Sequence, residues 1–521
     1  MNARPIATNK YDAVIIGGSI GGLVAASYLA RGDARILVAE KSEHFGGRAE
    51  RIDLGRGFRA PLPEGSGALD LRVLRDLHLS RHGMRYDKRD RKLIALRLGG
   101  KHIQLSHALS YALFAADGRG GLAYAAFRRE ALEWARRLRR LWNGTLDPPV
   151  APGHESDLAT IARRLQLSDS DWERFEDLSH LSASAFLGRW FESDALKAAL
   201  AADVFPSGLS PDEAGSALVL IWRYGQASGP RRSGARFVRG GPSAAAAALE
   251  EAAGAVGAEL RQNASVPSII VEDGRAVGVA LANGEIIAAG AVLSSLDARQ
   301  TLLELVSPES IGFGAAANLP DYQELGNAQL ILGLHGLPPF AGFSGRDLRS
   351  RIVIAERPET AAEAKSASLL GRLPDELVME VAIPSAADPD SALEGSHVLT
   401  ALLPYMPTTI EGGWQANRET LRRQALAMLE RFAPGLKERV VAQAIMTPDD
   451  SEARYGTPAG ELGSPLSRLL ASYESRIRTP IAGLYLCGAA AEPVSTLSGR
   501  AGRLAAGLVL ADWTRRKGDG S

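Results

Sequence analysis

The sequence predicts an α/β protein of two domains, one a Rossmann-like dinucleotide-binding unit and the other an α+β domain built on an antiparallel sheet with helices. Three observations predict it. An apolar run ends in a glycine-rich turn at Val14-Ile-Ile-Gly-Gly-Ser-Ile-Gly-Gly22, a strand, small-residue turn and alanine-rich helix repeat that logic from Ile481 to Ala506, and four apolar runs spaced by loops lie between them. At 521 residues the chain exceeds what one hydrophobic core usually supports, in keeping with two domains.

In the first turn, Gly17 supplies the tight bend out of the strand and Gly22 the close packing of helix on sheet. The helix from Leu23 to Ala30, entered through Ile20 and Gly21, points its positive end at a pyrophosphate. Ser19 stands where the middle glycine of G-x-G-x-x-G belongs, and a negative φ accommodates it. Arg35-Ile-Leu-Val-Ala-Glu40 then reads as a second parallel strand ending in an acid, 23 positions beyond Gly17, placed to accept both ribose hydroxyls. That acid argues against a 2′-phosphate. Directly after it, Lys41 leads to a second glycine turn with a cation, Gly46-Gly47-Arg48, which separates two-domain FAD proteins from nicotinamide dehydrogenases. The cofactor expected is therefore FAD.

Charge is balanced at 60 basic and 60 acidic residues, which gives no electrostatic reason to expect a nucleic acid partner. A single cysteine, Cys487, excludes both a disulfide and a dithiol electron shuttle within the chain. Residues Met1 to Lys10 lack the apolar core of a signal peptide and no run of about 18 apolar residues suggests a spanning helix, so the expectation is a cytoplasmic protein.

The dinucleotide unit ends near residue 60. Arg91 to Leu105 reads as a hairpin turning at Gly99-Gly100. In residues 127 to 142, Phe127, Ala131, Trp134, Ala135, Leu138, Leu141 and Trp142 share one side and six arginines lie mostly elsewhere, a basic amphipathic helix. Two readings stay open: peripheral contact with a membrane surface, or packing on its own domain with the arginines in solvent. Asn143 to Gly153 reads as a loop. From Gly240-Gly241-Pro-Ser the dinucleotide pattern returns, with a helix from Ala244 to Val256 and a strand running to Val266 at the adenine end. Strand pairs then turn at Asp273-Gly274 and Asn283-Gly284, and Ala291 to Ser295 closes the unit. The apolar runs 330–334, 351–355, 377–383 and 397–403 suit an antiparallel floor for a substrate. The terminal turn brings Gly488, Ala489, Thr496, Leu497 and Gly499 to the flavin end of the cofactor. The cofactor domain is thus discontinuous, residues 1–60, 235–300 and 475–521, with 61–234 and 301–474 forming a substrate domain with a helical cap.

These residues resemble the FAD-dependent oxidoreductases related to phytoene desaturase, the phytoene-dehydrogenase-like branch with its carotenoid isomerase and retinol saturase relatives. Glu40 with Gly46-Gly47-Arg48, Phe237-Val-Arg-Gly-Gly-Pro, Ile383-Pro-Ser-Ala-Ala-Asp-Pro389 through His397 to Pro407, and Leu484-Tyr-Leu-Cys-Gly488 with Gly502-Arg503 carry the resemblance over nearly the whole chain. Two departures stand out. Where the family often has His-Pro-Gly-Gly-Gly beside the flavin, this chain has Glu492-Pro493-Val494-Ser495-Thr496, and a histidine expected after Gly460-Glu461-Leu462 is absent. The resemblance implies an apolar small-molecule substrate, hydride transfer to flavin N5, and oxygen, a quinone or the product itself as electron acceptor.

Glu492 is the candidate base for the proton that a desaturation must remove; its alternative readings are a structural turn carboxylate or a hydrogen bond to the ribityl chain. Arg223 and Tyr224 either line the pocket or pack in the core, and His397 reads as scaffold. Cys487 reads as a small buried residue. The chain is accordingly read as a desaturase, dehydrogenase or isomerase acting on C–H and C–C bonds, with an amine oxidase or a flavin-holding interaction protein of little turnover as alternatives.

Overall fold

A computed structural model describes residues 10–61, 69–85, 92–105, 120–142, 158–227 and 238–519, apart from 318, 457, 459, 461–463, 472, 493, 495 and 496. Among these residues the strands in chain order are β1 Lys10–Ile16, β2 Ile36–Ala39, β3 Arg51–Gly55, β4 Phe58–Pro61, β5 Leu93–Ala95, β6 Ile103–Leu105, β7 Glu259–Arg261, β8 Ser268–Glu272, β9 Arg275–Ala280, β10 Ile286–Ser294, β11 Leu325–His335, β12 Arg351–Ile354, β13 Met379–Ala382, β14 Ser396–Pro407, β15 Val440–Met446 and β16 Leu484–Leu486. The helices that position the site are α1 Ile20–Leu29, α2 Gly120–Trp142, α3 Ser216–Ala227, α4 Gly241–Ala255, α5 Gly413–Phe432, α6 Pro448–Tyr455 and α7 Arg500–Asp519.

The first sheet runs β7-β2-β1-β10-β9-β8, with β16 beside the second half of β10. Strands β7, β2, β1, β10 and β16 are mutually parallel, and β9 and β8 fold back antiparallel through the turns at Gly284 and Gly274. Val14, Ile15, Leu37, Val38, Val292 and Leu293 are fully buried, as expected of parallel strands covered on both faces. Helix α1 packs on α7 and α4, so residues from both ends of the chain lie side by side.

The second sheet runs β15-β11-β14-β13-β12-β5-β6, antiparallel except where β12 meets β5. The four apolar runs are β11 to β14, joined by β15 on one edge and the Gly99-Gly100 hairpin on the other. One face carries Leu330, Leu332, Leu334, Val381, Leu399 and Ala401 against Trp414, Leu421 and Leu429 of α5. The hairpin β3–β4, which the sequence reading put with the dinucleotide unit, packs instead on the opposite face, where Ile52, Phe58 and Ala60 meet Ile331 and Val398. The reason is local: the Phe58 ring occupies the space a Cβ on Gly333 would need.

Helices α2 and α3 and four shorter neighbours form a third layer. Phe127, Ala131, Trp134, Ala135, Leu138, Leu141 and Trp142 are all buried in it, with Phe127 edge-on to Tyr224, while Arg129, Arg136, Arg139 and Arg140 face solvent. The apolar face of this helix is thus taken up by packing on its own domain, the second of the two readings. Among the described residues no helix is long and apolar enough to cross a membrane. The expected loop from 143 to 153 lies outside the described residues, as do Arg91 and Phe237.

Candidate active site

A cavity of about 540 Å³ opens where the carboxyl ends of β1, β2 and β10 meet the second sheet. This is where doubly wound sheets hold ligands. Its walls bring together Gly17, Ser19, Ile20, Gly21, Glu40, Lys41, Gly46, Gly47, Arg48, Val266, Gly488, Ala489, Glu492, Leu497 and Gly499, all chosen from sequence. Gly22 is not at the wall. It sits behind the turn, where a Cβ would collide with the Gly17 carbonyl oxygen at 2.2 Å, so its part is to let the turn close. Thr496 lies outside the described residues, with Pro493 and Ser495.

The first turn works as its sequence suggests. Gly17 has φ +85, a left-handed conformation that glycine adopts without strain. Ser19 has φ −64 and caps α1, its hydroxyl accepting from the Gly22 N–H at 3.4 Å, so the substitution for glycine gives the helix an N-cap. Gly21 meets the second turn directly: a Cβ there would lie 2.1 Å from the Cys487 carbonyl oxygen. The two ends of the chain therefore interlock at the cavity through backbone alone.

Glu40 is 7% exposed, and its two oxygens accept from the Gly18 N–H at 2.7 Å and the Ser42 N–H at 2.8 Å. Each oxygen keeps a lone pair for an outside donor. Helix α6 reaches over the loop that follows. The Lys41 ammonium donates to the Tyr455 carbonyl at 3.0 Å, the Arg48 guanidinium lies 5.6 Å from the Tyr455 ring centroid, and Arg454 pairs with Glu50.

The opposite turn holds the main revision. Glu492 is 2% exposed, and its Oε1 accepts from the Ser498 hydroxyl at 2.6 Å and the Ala501 N–H at 2.9 Å. It thus ties the turn to the first residues of α7, where a carboxylate satisfies orphan N–H groups and faces the positive helix end. Of the readings open for Glu492, this geometry is the structural turn carboxylate. Val494, expected to add bulk beside the flavin, is buried in the core of the helical layer instead. Cys487 is fully buried and its thiol is pushed far up by that burial, so no thiolate forms at neutral pH.

Other candidates also resolve. His397 is held by Ser385 at 3.1 Å, and burial pushes its pKa down; Ser385 in turn accepts from the Val398 N–H, a scaffold arrangement. Tyr224 is buried among the aromatic residues of the helical layer. Among the described residues no cluster of His, Cys, Asp or Glu is arranged to hold a metal ion.

Sequence reasoning missed Asp297, Tyr322 and Asn327, which also line the cavity. Asp297 accepts from the Gln300 N–H at 2.8 Å and from the Tyr322 hydroxyl at 3.0 Å, yet burial holds its carboxyl above the usual range. It stands three residues beyond β10, at the carboxyl end of a parallel strand, and that position was the signal available. Tyr322 and Asn327 arrive from a distant segment and carried none.

The walls fit a dinucleotide: a helix N-terminus with its turn at one point, free carboxylate lone pairs at another, and a volume within the range of cofactor pockets. Residues 15–64 match the NAD(P)-binding Rossmann-like domain family. Across 96% of its length the chain is 28% identical to pyridine nucleotide-disulfide oxidoreductase domain-containing protein 2 of Rattus norvegicus, covering 94% of that protein. It is 30% identical to the phytoene desaturase (neurosporene-forming) of Cereibacter sphaeroides over 51% of this chain and 52% of that one. Putrescine oxidase bound to putrescine shares the fold, with a TM-score of 0.63 at 16% identity over 96% of this chain and 99% of that structure. The interlocked glycine turns fit a cofactor cradle, and the chain is similar to FAD-dependent oxidoreductases of the phytoene desaturase type.

Proposed function

We propose that this protein oxidises or isomerises C–H and C–C bonds of a predominantly apolar small molecule, with FAD stretched between the two turns. The observation that carries this is the meeting of Gly21 with Cys487 and Gly488, which makes one cavity wall from chain segments more than 450 residues apart. In this reading residues 1–60, 235–300 and 475–521 build the cofactor domain and the remainder binds substrate, with the β3–β4 hairpin bridging the two.

When bound, FAD supplies a two-electron acceptor at flavin N5. The α1 N-terminus and Arg48 would hold the pyrophosphate, and Glu40 would accept the hydroxyls of the adenine ribose through its unused lone pairs. Val266 gives the adenine an apolar wall. At the flavin end, Gly488 and Ala489 allow close approach of the backbone, and Leu497 and Gly499 complete the wall. Glu492 acts as a positioning residue, holding that turn against α7. The inner face of the second sheet and the helical layer exclude water and set the substrate against the ring. The electron acceptor would be oxygen or a quinone, or the product itself in an isomerisation.

The test begins with purification: the protein should carry bound flavin with its yellow absorbance. Anaerobic exposure to terpenoid and polyene compounds should then bleach it, or rearrange the compound without net bleaching. Bleaching by an amine panel alone, with peroxide release in air, would instead establish amine oxidation.

A further inference from the structure

Two acids flank the first glycine turn at the carboxyl ends of neighbouring strands. Glu40 follows β2 and Asp297 stands three residues beyond β10, with β1 and its turn between them. Both line the cavity. Strand neighbours are about 4.8 Å apart, so Asp297 lies beyond the turn on the side away from Glu40, toward β16.

The chain that carries Asp297 is fixed by both glycine turns at once. A Cβ on Gly17 would lie 2.4 Å from the Ser295 hydroxyl oxygen, and one on Gly488 would lie 1.9 Å from the Ser295 carbonyl oxygen. Ser295 is thus wedged between the turn that ends β1 and the turn that ends β16. Asp297, two residues on, lines the interval between them.

Its carboxylate is only partly met. Asp297 is 8% exposed; its Oδ1 accepts from the Gln300 N–H at 2.8 Å, and the Tyr322 hydroxyl lies 3.0 Å from each oxygen and divides one hydrogen between them. Oδ2 therefore has no donor of its own. Burial holds the carboxyl above the usual range despite these bonds, so they leave part of its desolvation unmet. The neighbouring cation is engaged elsewhere, since Arg299 pairs with Asp321 at 3.0 Å.

A dinucleotide laid across the strand ends has its adenine ribose at Glu40, its pyrophosphate at the first turn and its flavin beyond Gly488. Between pyrophosphate and flavin runs the ribityl chain, an uncharged polyol. A phosphate oxygen beside Asp297 would set anion against anion, whereas a hydroxyl supplies the missing donor without adding charge. We propose that Oδ2 of Asp297 accepts a hydrogen bond from a ribityl hydroxyl, so that an acid holds the cofactor on each side of its pyrophosphate. This rests on the flavoprotein reading above and adds a binding residue to it.

Asp297 also caps the helical segment that runs to Glu304, through the Gln300 N–H and through its own carbonyl, which accepts from Thr301 at 3.0 Å. The test must separate the two roles. Isothermal titration calorimetry of the flavin-free full-length protein compares FAD with ADP, which has the adenosine and pyrophosphate but no ribityl chain. Asp297→Ser keeps a capping oxygen and removes the second one; it should bind FAD about tenfold or more weakly than wild type and ADP equally well. Of the 2′-, 3′- and 4′-deoxyribityl forms of FAD, at least one should bind wild type about tenfold more weakly, and Asp297→Ser should lose little further affinity for that form. Asp297→Asn, the same size and also a cap, replaces the serine variant if that one does not melt cooperatively, with a smaller loss again confined to FAD. Unchanged FAD binding in the variant leaves capping as the residue's role and overturns the proposal. Equal losses for FAD and ADP, or the full loss with all three deoxy forms, overturn it as well. Wild-type protein that takes up ADP without FAD, or neither, overturns the flavoprotein reading and this proposal with it.

Discussion

The two faces of the second sheet are built to opposite rules. Alternate residues of the same strands, Leu330, Leu332 and Leu399 against Gln329, Thr400 and Glu380, face an apolar helix on one side and a polar seam on the other. Gln329 and Thr400 are as buried as the leucines, so burial alone does not distinguish them. What differs is whether each side chain finds its partner inside the fold. On the α5 face the leucines meet apolar partners, whereas the seam contains the Gln329 Oε1 acceptor and the Arg351 Nε donor without internal partners. One face is closed by apolar packing and the other keeps polar atoms without internal partners.

The largest expected effect comes from the seam's best-paired member. Arg351 bonds Asp203, Glu380 and the Ala202 carbonyl, and Arg351→Met should leave two carboxylates uncompensated and destabilise by about 3–5 kcal/mol. A denaturant midpoint unchanged from wild type would mean the seam charges are already solvated. On the other face, Leu332→Ala should cost about 2–5 kcal/mol through lost burial and a cavity, without changing flavin content. The sharpest contrast is Gln329→Leu, expected to be neutral or to stabilise by about 1 kcal/mol because it removes an unpaired polar atom. Loss of stability in that variant would break the comparison.

The smallest effect is at the join of the two sides. Asp450 caps α6 and pairs with Arg418 of α5; burial pushes its carboxyl up, but the Arg418 and Thr447 bonds outweigh that and hold it below the usual range. Since the folded pKa is depressed, its contribution is complete above an unfolded value of about 3.9 and is lost as pH falls through the folded one. Asp450→Asn should cost about 1 kcal/mol at neutral pH and flatten that part of the acid limb of thermal stability.

Much of the first turn was legible because its constraints are local. Gly17, Ser19 and Glu40 answer to φ, to a helix cap and to backbone N–H groups within a few dozen residues. The four strands of the second sheet were legible from apolar runs, but those runs concealed Gln329 and Glu380, since a run is read for what it buries and not for which face each residue takes. The structural ties of Glu492 were not legible because its partners, Ser498 and Ala501, belong to a helix start that only the folded turn brings back to it. Tyr322 and Tyr455 reach the cavity from segments with no motif at all.

Helix α6 lies across the loop from Lys41 to Glu50 with a cation–carbonyl bond, a cation–ring contact and an ion pair. Its consequence concerns residence time more than affinity. A dinucleotide in the cavity that α6 helps to line should escape more slowly with these ties intact than without them. Because all three ties carry a cation and the ion pair is partly exposed, raised ionic strength should shorten that residence, and flavin lost on dilution into salt but retained without it would show these ties at work.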